Sequence, residues 1–138
     1  MEKAIRLKPN NGQLYGLIGD EFLKINDIEK AERNYLMSIN VDSLYSFWYY
    51  QIGGFYINIA DDKIKEADDI YPDPREKLLI KEAEDLMIKA IPYLEKAAVE
   101  MNQNAELARV IAQCYKKKEG GDSENYQKWY NQYKKLKN

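Results

Sequence analysis

The sequence predicts an all-α protein, an α-solenoid of antiparallel helix pairs stacked side by side. Three observations point there. Tyr15, Ile18, Gly19 and Phe22 recur 34 residues later as Tyr49, Ile52, Gly53 and Tyr56. Apolar residues return every three or four positions along most of the chain, the spacing that places them on one helix face. Only four prolines and seven glycines interrupt 138 residues. A fixed period with several matched positions marks a repeat architecture, in which each helix pair buries its apolar side against the next.

The elements follow in order, about seven helices including an N-terminal stub. Met1 to Lys8 reads as the last turns of a helix, with Ala4, Ile5 and Leu7 matching Ser38, Ile39 and Val41 one period on. Pro9 to Gly12 is a turn, and Asn10 with Gln13 has capping-box spacing for a helix to about Ile25. Its stripe is Leu14, Ile18, Phe22 and Ile25. Asn26-Asp27-Ile28-Glu29 is another capping box, opening a second helix to about Val41 with Ile28, Ala31, Tyr35 and Ile39 inward. Asp42-Ser43 ends that helix and caps the next. The next carries seven aromatics between Tyr45 and Tyr56 and runs on through Ala60, Ile64 and Ala67. Aromatics on nearly every face predict burial on more than one side.

Asp69-Ile70-Tyr71-Pro72 breaks the pattern. Asp73-Pro74-Arg75-Glu76 restarts it with a cap, a proline at the first helical position and a closing glutamate. Leu79, Ala83, Leu86, Ala90, Leu94 and Ala97 then define a long amphipathic helix to about Met101, with a bend expected at Pro92. A helix from Ala105 to about Lys118 buries Leu107, Ala108, Ile111 and Tyr115. A last helix shows Tyr126, Trp129, Tyr130, Tyr133 and Leu136 on one stripe.

Tyr-x-x-Ile-Gly-x-x-Phe from Tyr15 to Phe22, a turn, and Ala31-x-x-x-Tyr35 resemble the signature of the tetratricopeptide repeat. Ala108-x-x-Ile111-Ala112-x-x-Tyr115 is a weaker third copy. Ile111 stands 59 residues after Ile52, so about 25 residues are inserted into the second repeat, between about Ala60 and Leu86. The long helix ending Ala90-Ile-Pro-Tyr-Leu-Glu-Lys-Ala97 is similar to that of bacterial members of the family with an extended hairpin. The resemblance implies a right-handed superhelix in one domain, 1–138. It divides into the end of a preceding repeat (1–9), repeat 1 (10–42), repeat 2 with the long hairpin (43–103), and repeat 3 with a capping helix (104–138). Opening in mid-repeat, the chain reads as a piece of a longer protein, and its compartment is left open: cytoplasmic as it stands, exported or periplasmic in a longer context.

Composition narrows the chemistry. Without histidine the chain lacks the commonest neutral-pH base and zinc ligand. One cysteine, Cys114, excludes an intrachain disulfide and reads as a core residue. Asp61-Asp62 and Asp68-Asp69 lack the glycine and ligand spacing of a calcium loop. No phosphate loop or nucleophile motif is present, so no cofactor, metal or catalytic residue is expected and the chain reads as non-enzymatic. No apolar run is long enough to span a membrane. Net charge is −2, but the stretch from Lys116 onward carries seven lysines against three acids. Its aromatics fall at core spacing, which favours a soluble capping helix over a nucleic-acid surface.

The resemblance implies a concave groove lined by the first helix of each pair. The positions facing it are Gln13, Gly16, Asp20 and Lys24; Phe47, Tyr50, Gly54 and Asn58; and Glu106, Arg109, Gln113 and Lys117. Of these, Gln13, Asp20, Lys24, Phe47, Tyr50, Asn58, Arg109, Gln113 and Lys117 are the candidate partner-binding residues. Phe47, Tyr50 and Arg109 are expected to dominate, because aromatic and arginine side chains most often anchor interfaces. Tyr49, Tyr56 and Ile111 are expected in the core. A branch of the family grips C-terminal carboxylates. The matching positions here are Gly16, Asp20, Gln51, Glu106 and Val110, whose acids would repel such a ligand. The expected function is a protein-interaction scaffold for a protein or peptide. The alternative is self-assembly through exposed repeat ends, including a homodimer through Ile5 and Leu7 of the stub.

Overall fold

A computed structural model describes residues 11–138; the stub with Ile5 and Leu7, and Asn10, lie outside them. Six helices account for the regular structure of this region: α1 (Gly12–Lys24), α2 (Ile28–Val41), α3 (Ser46–Ile70), α4 (Arg75–Glu100), α5 (Ala105–Glu119) and α6 (Glu124–Lys137). Short turns join them. α1 packs on α2, α3 on α4 and α5 on α6, and the pairs meet through α2–α3 and α4–α5. The arrangement is an all-α helical-repeat solenoid. At 1.5 Å per residue, α3 and α4, with 25 and 26 residues, each extend to nearly 40 Å, about twice the length of α1.

The repeat glycines sit where helices approach most closely. A Cβ on Gly19 would lie 2.6 Å from a ring carbon of Tyr35, and one on Gly53 would lie 2.5 Å from Leu94 Cδ2. Leu94 stands 59 residues after Tyr35, the offset that also relates Ile111 to Ile52. Ala31 and Ala90 share this offset and are both fully buried. The first two pairs are therefore closed by the same device: a glycine on the first helix receives a bulky side chain from the second, with an alanine one turn earlier. The core continues through Ile52, Tyr56, Ala97, Leu107, Ile111 and Cys114.

Polar links cross from pair to pair. Tyr56 Oη donates to Glu32 Oε2 at 2.7 Å, joining α3 to α2. Tyr115 Oη donates to Glu95 Oε1 at 2.9 Å, joining α5 to α4. Glu95 Oε2 also accepts from Trp129 Nε1 of α6 at 3.3 Å. The final helix is thus tied to the stack by Glu95 while having no fully buried residue of its own. Burial, aided by the Glu95 carboxylate, pushes the Tyr115 hydroxyl up to about 12. Burial likewise pushes the Cys114 thiol up to about 12, with Asp61 adding to the effect.

Several boundaries differ from expectation. The cap of α1 is Asn11, whose side chain accepts from the Gln13 and Leu14 amides, not Asn10. α1 stops at Lys24, because Asn26 takes φ 62° and turns the chain, which leaves Ile25 71% exposed instead of in the stripe. The same turn makes Asp27, not Asn26, the cap of α2: its side chain accepts from the Lys30 amide at 3.2 Å. Asp42-Ser43 does not cap α3. The turn continues to Tyr45, α3 starts at Ser46, and Asp42 instead accepts from Trp48 Nε1 at 3.3 Å. Pro74 precedes the first turn of α4, with Asp73 accepting from the Arg75 amide at 2.8 Å. Pro92 lies inside α4 on its exposed side.

Candidate functional site

The inward face of α3 is Tyr49, Ile52, Gly53 and Tyr56, all buried. Steps of three and four residues place Phe47, Tyr50, Gly54, Asn58 and Asp61 on another face of the same helix. Phe47 and Tyr50 remain 40% and 38% exposed. A Cβ on Gly54 would meet nothing within 4 Å. This face opens onto a concave recess of about 510 Å³ bounded by α1, α3 and α5. Leu23, Tyr35, Phe55, Leu94, Leu107 and Val110 supply its apolar surface. Asp20, Asn58, Asp61, Glu106 and Arg109 supply polar groups.

A second recess, about 300 Å³, adjoins the first through Phe47 and Gln51. Leu17, Tyr45 and Trp48 complete its apolar wall, and Gln13 borders it. The aromatic rings brace one another: Tyr45 meets Trp48 edge-on at 5.1 Å, and Phe47 lies 5.4 Å from Trp48 and 6.4 Å from Tyr50. Such mutual packing holds large apolar side chains at the surface with little rotamer freedom left to lose. Gly12 and Gly16 keep the α1 side low: a Cβ on Gly16 would lie 3.0 Å from Gln51 Oε1. That carboxamide oxygen is buried and has no hydrogen-bond partner among the described residues.

Of the nine candidate residues, Asp20, Phe47, Tyr50, Asn58 and Arg109 line the larger recess, and Gln13 and Phe47 the smaller. Lys24, Gln113 and Lys117 line neither. Lys24 is an exposed partner of Glu21 at 3.1 Å, and Gln113 and Lys117 lie farther along α5. Arg109 is not a free anchor. Its Nε donates to Glu106 Oε2 at 2.9 Å and its Nη2 to Glu106 Oε1, which holds the Glu106 carboxyl below the usual carboxylate range. Asp20 accepts from Tyr35 Oη at 2.6 Å; burial, aided by this carboxylate, raises the phenol well above its ordinary value.

Sequence reasoning set Gln51 aside with the rejected carboxylate grip and weighed Asp61 only as a metal ligand. The signal for Asp61 was its position three residues after Asn58 on the Phe47–Tyr50 face. Tyr45, exposed at the mouth of the smaller recess, was counted with the aromatics of α3 and in fact precedes the helix.

Among the described residues no helix is long and apolar enough to cross a membrane. No protein-family model matches the chain, and no curated protein matches it. Among solved structures it is similar to the crystal structure of MamA, at 19% identity and a TM-score of 0.37, over 99% of this chain and 84% of that one. A second crystal structure of MamA protein gives 19% identity and a TM-score of 0.36, over 99% of this chain and 78% of that one. At these TM-scores the likeness carries no argument about what the chain does.

Proposed function

We propose that the protein is a non-catalytic interaction scaffold and that the groove bounded by α1, α3 and α5 holds a protein or peptide segment. The observation that carries this reading is the split of α3: Tyr49, Tyr56 and Ile52 are buried, while Phe47 and Tyr50 stay on a concave face with no covering element among the described residues. Large aromatics left at a rigid concave surface are costly in water and effective as anchors. The tetratricopeptide resemblance supports the same assignment. Phe47 and Tyr50 act as anchors, Asp20, Asn58 and Gln13 as polar contacts, and Arg109 as the group that positions Glu106. Lys24, Gln113 and Lys117 would contact only a partner reaching beyond the recesses.

Immobilised protein should retain specific partners from a cell lysate, and Phe47→Ala and Tyr50→Ala should each release them while leaving the helical circular-dichroism spectrum unchanged. Retention at full strength by both variants would move the site elsewhere, with the hairpin between Ala60 and Leu86 as the next candidate.

A further inference from the structure

The groove's charge and its aromatic lining bear on the chemistry of its occupant, an inference that rests on the groove reading above. The larger recess carries three carboxylates, from Asp20, Asp61 and Glu106, against the single guanidinium of Arg109. Arg109 is already committed to Glu106, so Asp20 and Asp61 have no cationic partner among the described ion pairs. The smaller recess contains no charged side chain and three aromatic rings. Gln51 borders both recesses. The part of the chain before Lys116 carries a net charge of −6, so the wider field has the same sign. An anion would be repelled here. A purely apolar segment would leave the carboxylates desolvated without a partner, which is unfavourable.

We propose that the groove binds a cationic peptide segment of a partner protein. One apolar or aromatic anchor sits in the recess of Tyr45, Phe47 and Trp48, and Lys or Arg side chains lie against Asp20 and Asp61. Arg109 then tunes specificity. It neutralises Glu106, so removing it leaves a third free carboxylate and favours cationic ligands further.

A random 12-residue peptide display library, selected on the immobilised protein, tests this directly. Gly54→Leu serves as the groove control, because Gly54 lines the recess and a Cβ there meets nothing within 4 Å. Enriched peptides should combine Lys or Arg with an aromatic or aliphatic residue and should not bind Gly54→Leu. Their affinity should fall about tenfold between 50 and 500 mM salt. It should fall about threefold in Asp61→Asn and rise about threefold in Arg109→Gln. Enriched peptides that are acidic or neutral yet lost in Gly54→Leu would overturn the charge inference and leave the groove reading standing. Peptides that bind Gly54→Leu equally well, or no enrichment at all, would overturn both. Salt-sensitive oligomers of the protein alone, dissolved by Gly54→Leu, would make the occupant a second copy and overturn the foreign partner.

Discussion

Gly53 and Gly54 are adjacent on α3 and face opposite demands. At Gly53 the missing Cβ is the space that Leu94 fills; at Gly54 the missing Cβ is open groove. The same division runs along the helix, with Tyr49 and Tyr56 inside and Phe47 and Tyr50 outside. An aromatic-rich helix here is therefore two surfaces. One holds the repeat pairs together, and the other stays partly exposed among the described residues. Residue type does not distinguish them; position in the 3.6-residue turn does.

The largest expected effect is on the inner surface. Tyr56 is 1% exposed and its hydroxyl donates to Glu32. Tyr56→Ala should cost about 3 kcal/mol or more, read by urea denaturation. A loss under about 1 kcal/mol would mean that α3 does not depend on this contact. Gly53→Ala gains up to about 1 kcal/mol of helix propensity but must displace Leu94, so a net loss of about 1–2 kcal/mol is expected. Equal or greater stability would show that Leu94 moves aside freely. Glu95→Ala removes the shared acceptor of Tyr115 and Trp129, for a loss of about 1–2 kcal/mol and earlier hydrogen exchange in α6 than in α5. Uniform exchange across both helices would deny Glu95 its tethering role. On the outer surface, Phe47→Ala should change stability by less than about 1 kcal/mol.

The smallest effect concerns Cys114. It is fully buried, and its thiol is pushed up to about 12, so the folded protein should resist alkylation at pH values where a free cysteine reacts. The folded thiol holds its proton above the unfolded value. Its contribution to stability is therefore complete below the ordinary thiol range and is lost as pH rises towards about 12. Tyr115 acts in the same sense, at a higher starting pH. Rapid alkylation of native protein near neutral pH would contradict this burial.

The division of α3 was legible in the sequence because the 34-residue period aligned Gly53 with Gly19 and Tyr56 with Phe22. The apolar stripes of α2, α4 and α5 were legible for the same reason, since each repeats at helical spacing. What remained hidden was set by single residues or by pairing across the chain. The left-handed turn at Asn26 removed Ile25 from the core, a choice any of several neighbouring polar residues could have made. The late start of α3 followed from Asp42 bonding to Trp48, not to a backbone amide, and composition does not distinguish those two uses. In the groove, the outward positions were readable from helical phase, but the occupation of Arg109 by Glu106 was not chosen over solvent exposure, although the two stand three residues apart. The orphaned Gln51 oxygen depends on how α1 and α3 meet at Gly16, which no local pattern encodes.

Side-by-side leucine substitution of the two glycines tests the division most directly. Gly53→Leu and Gly54→Leu would each be followed by urea denaturation and by binding of one groove-selected peptide. The two-surface account predicts that Gly53→Leu unfolds at markedly lower urea or fails to fold. Gly54→Leu should match or exceed wild-type stability, through about 1 kcal/mol of helix propensity, and should lose the peptide. A Gly54→Leu protein that is fully stable and binds the peptide at wild-type strength would contradict the account, as would a Gly53→Leu protein as stable as wild type.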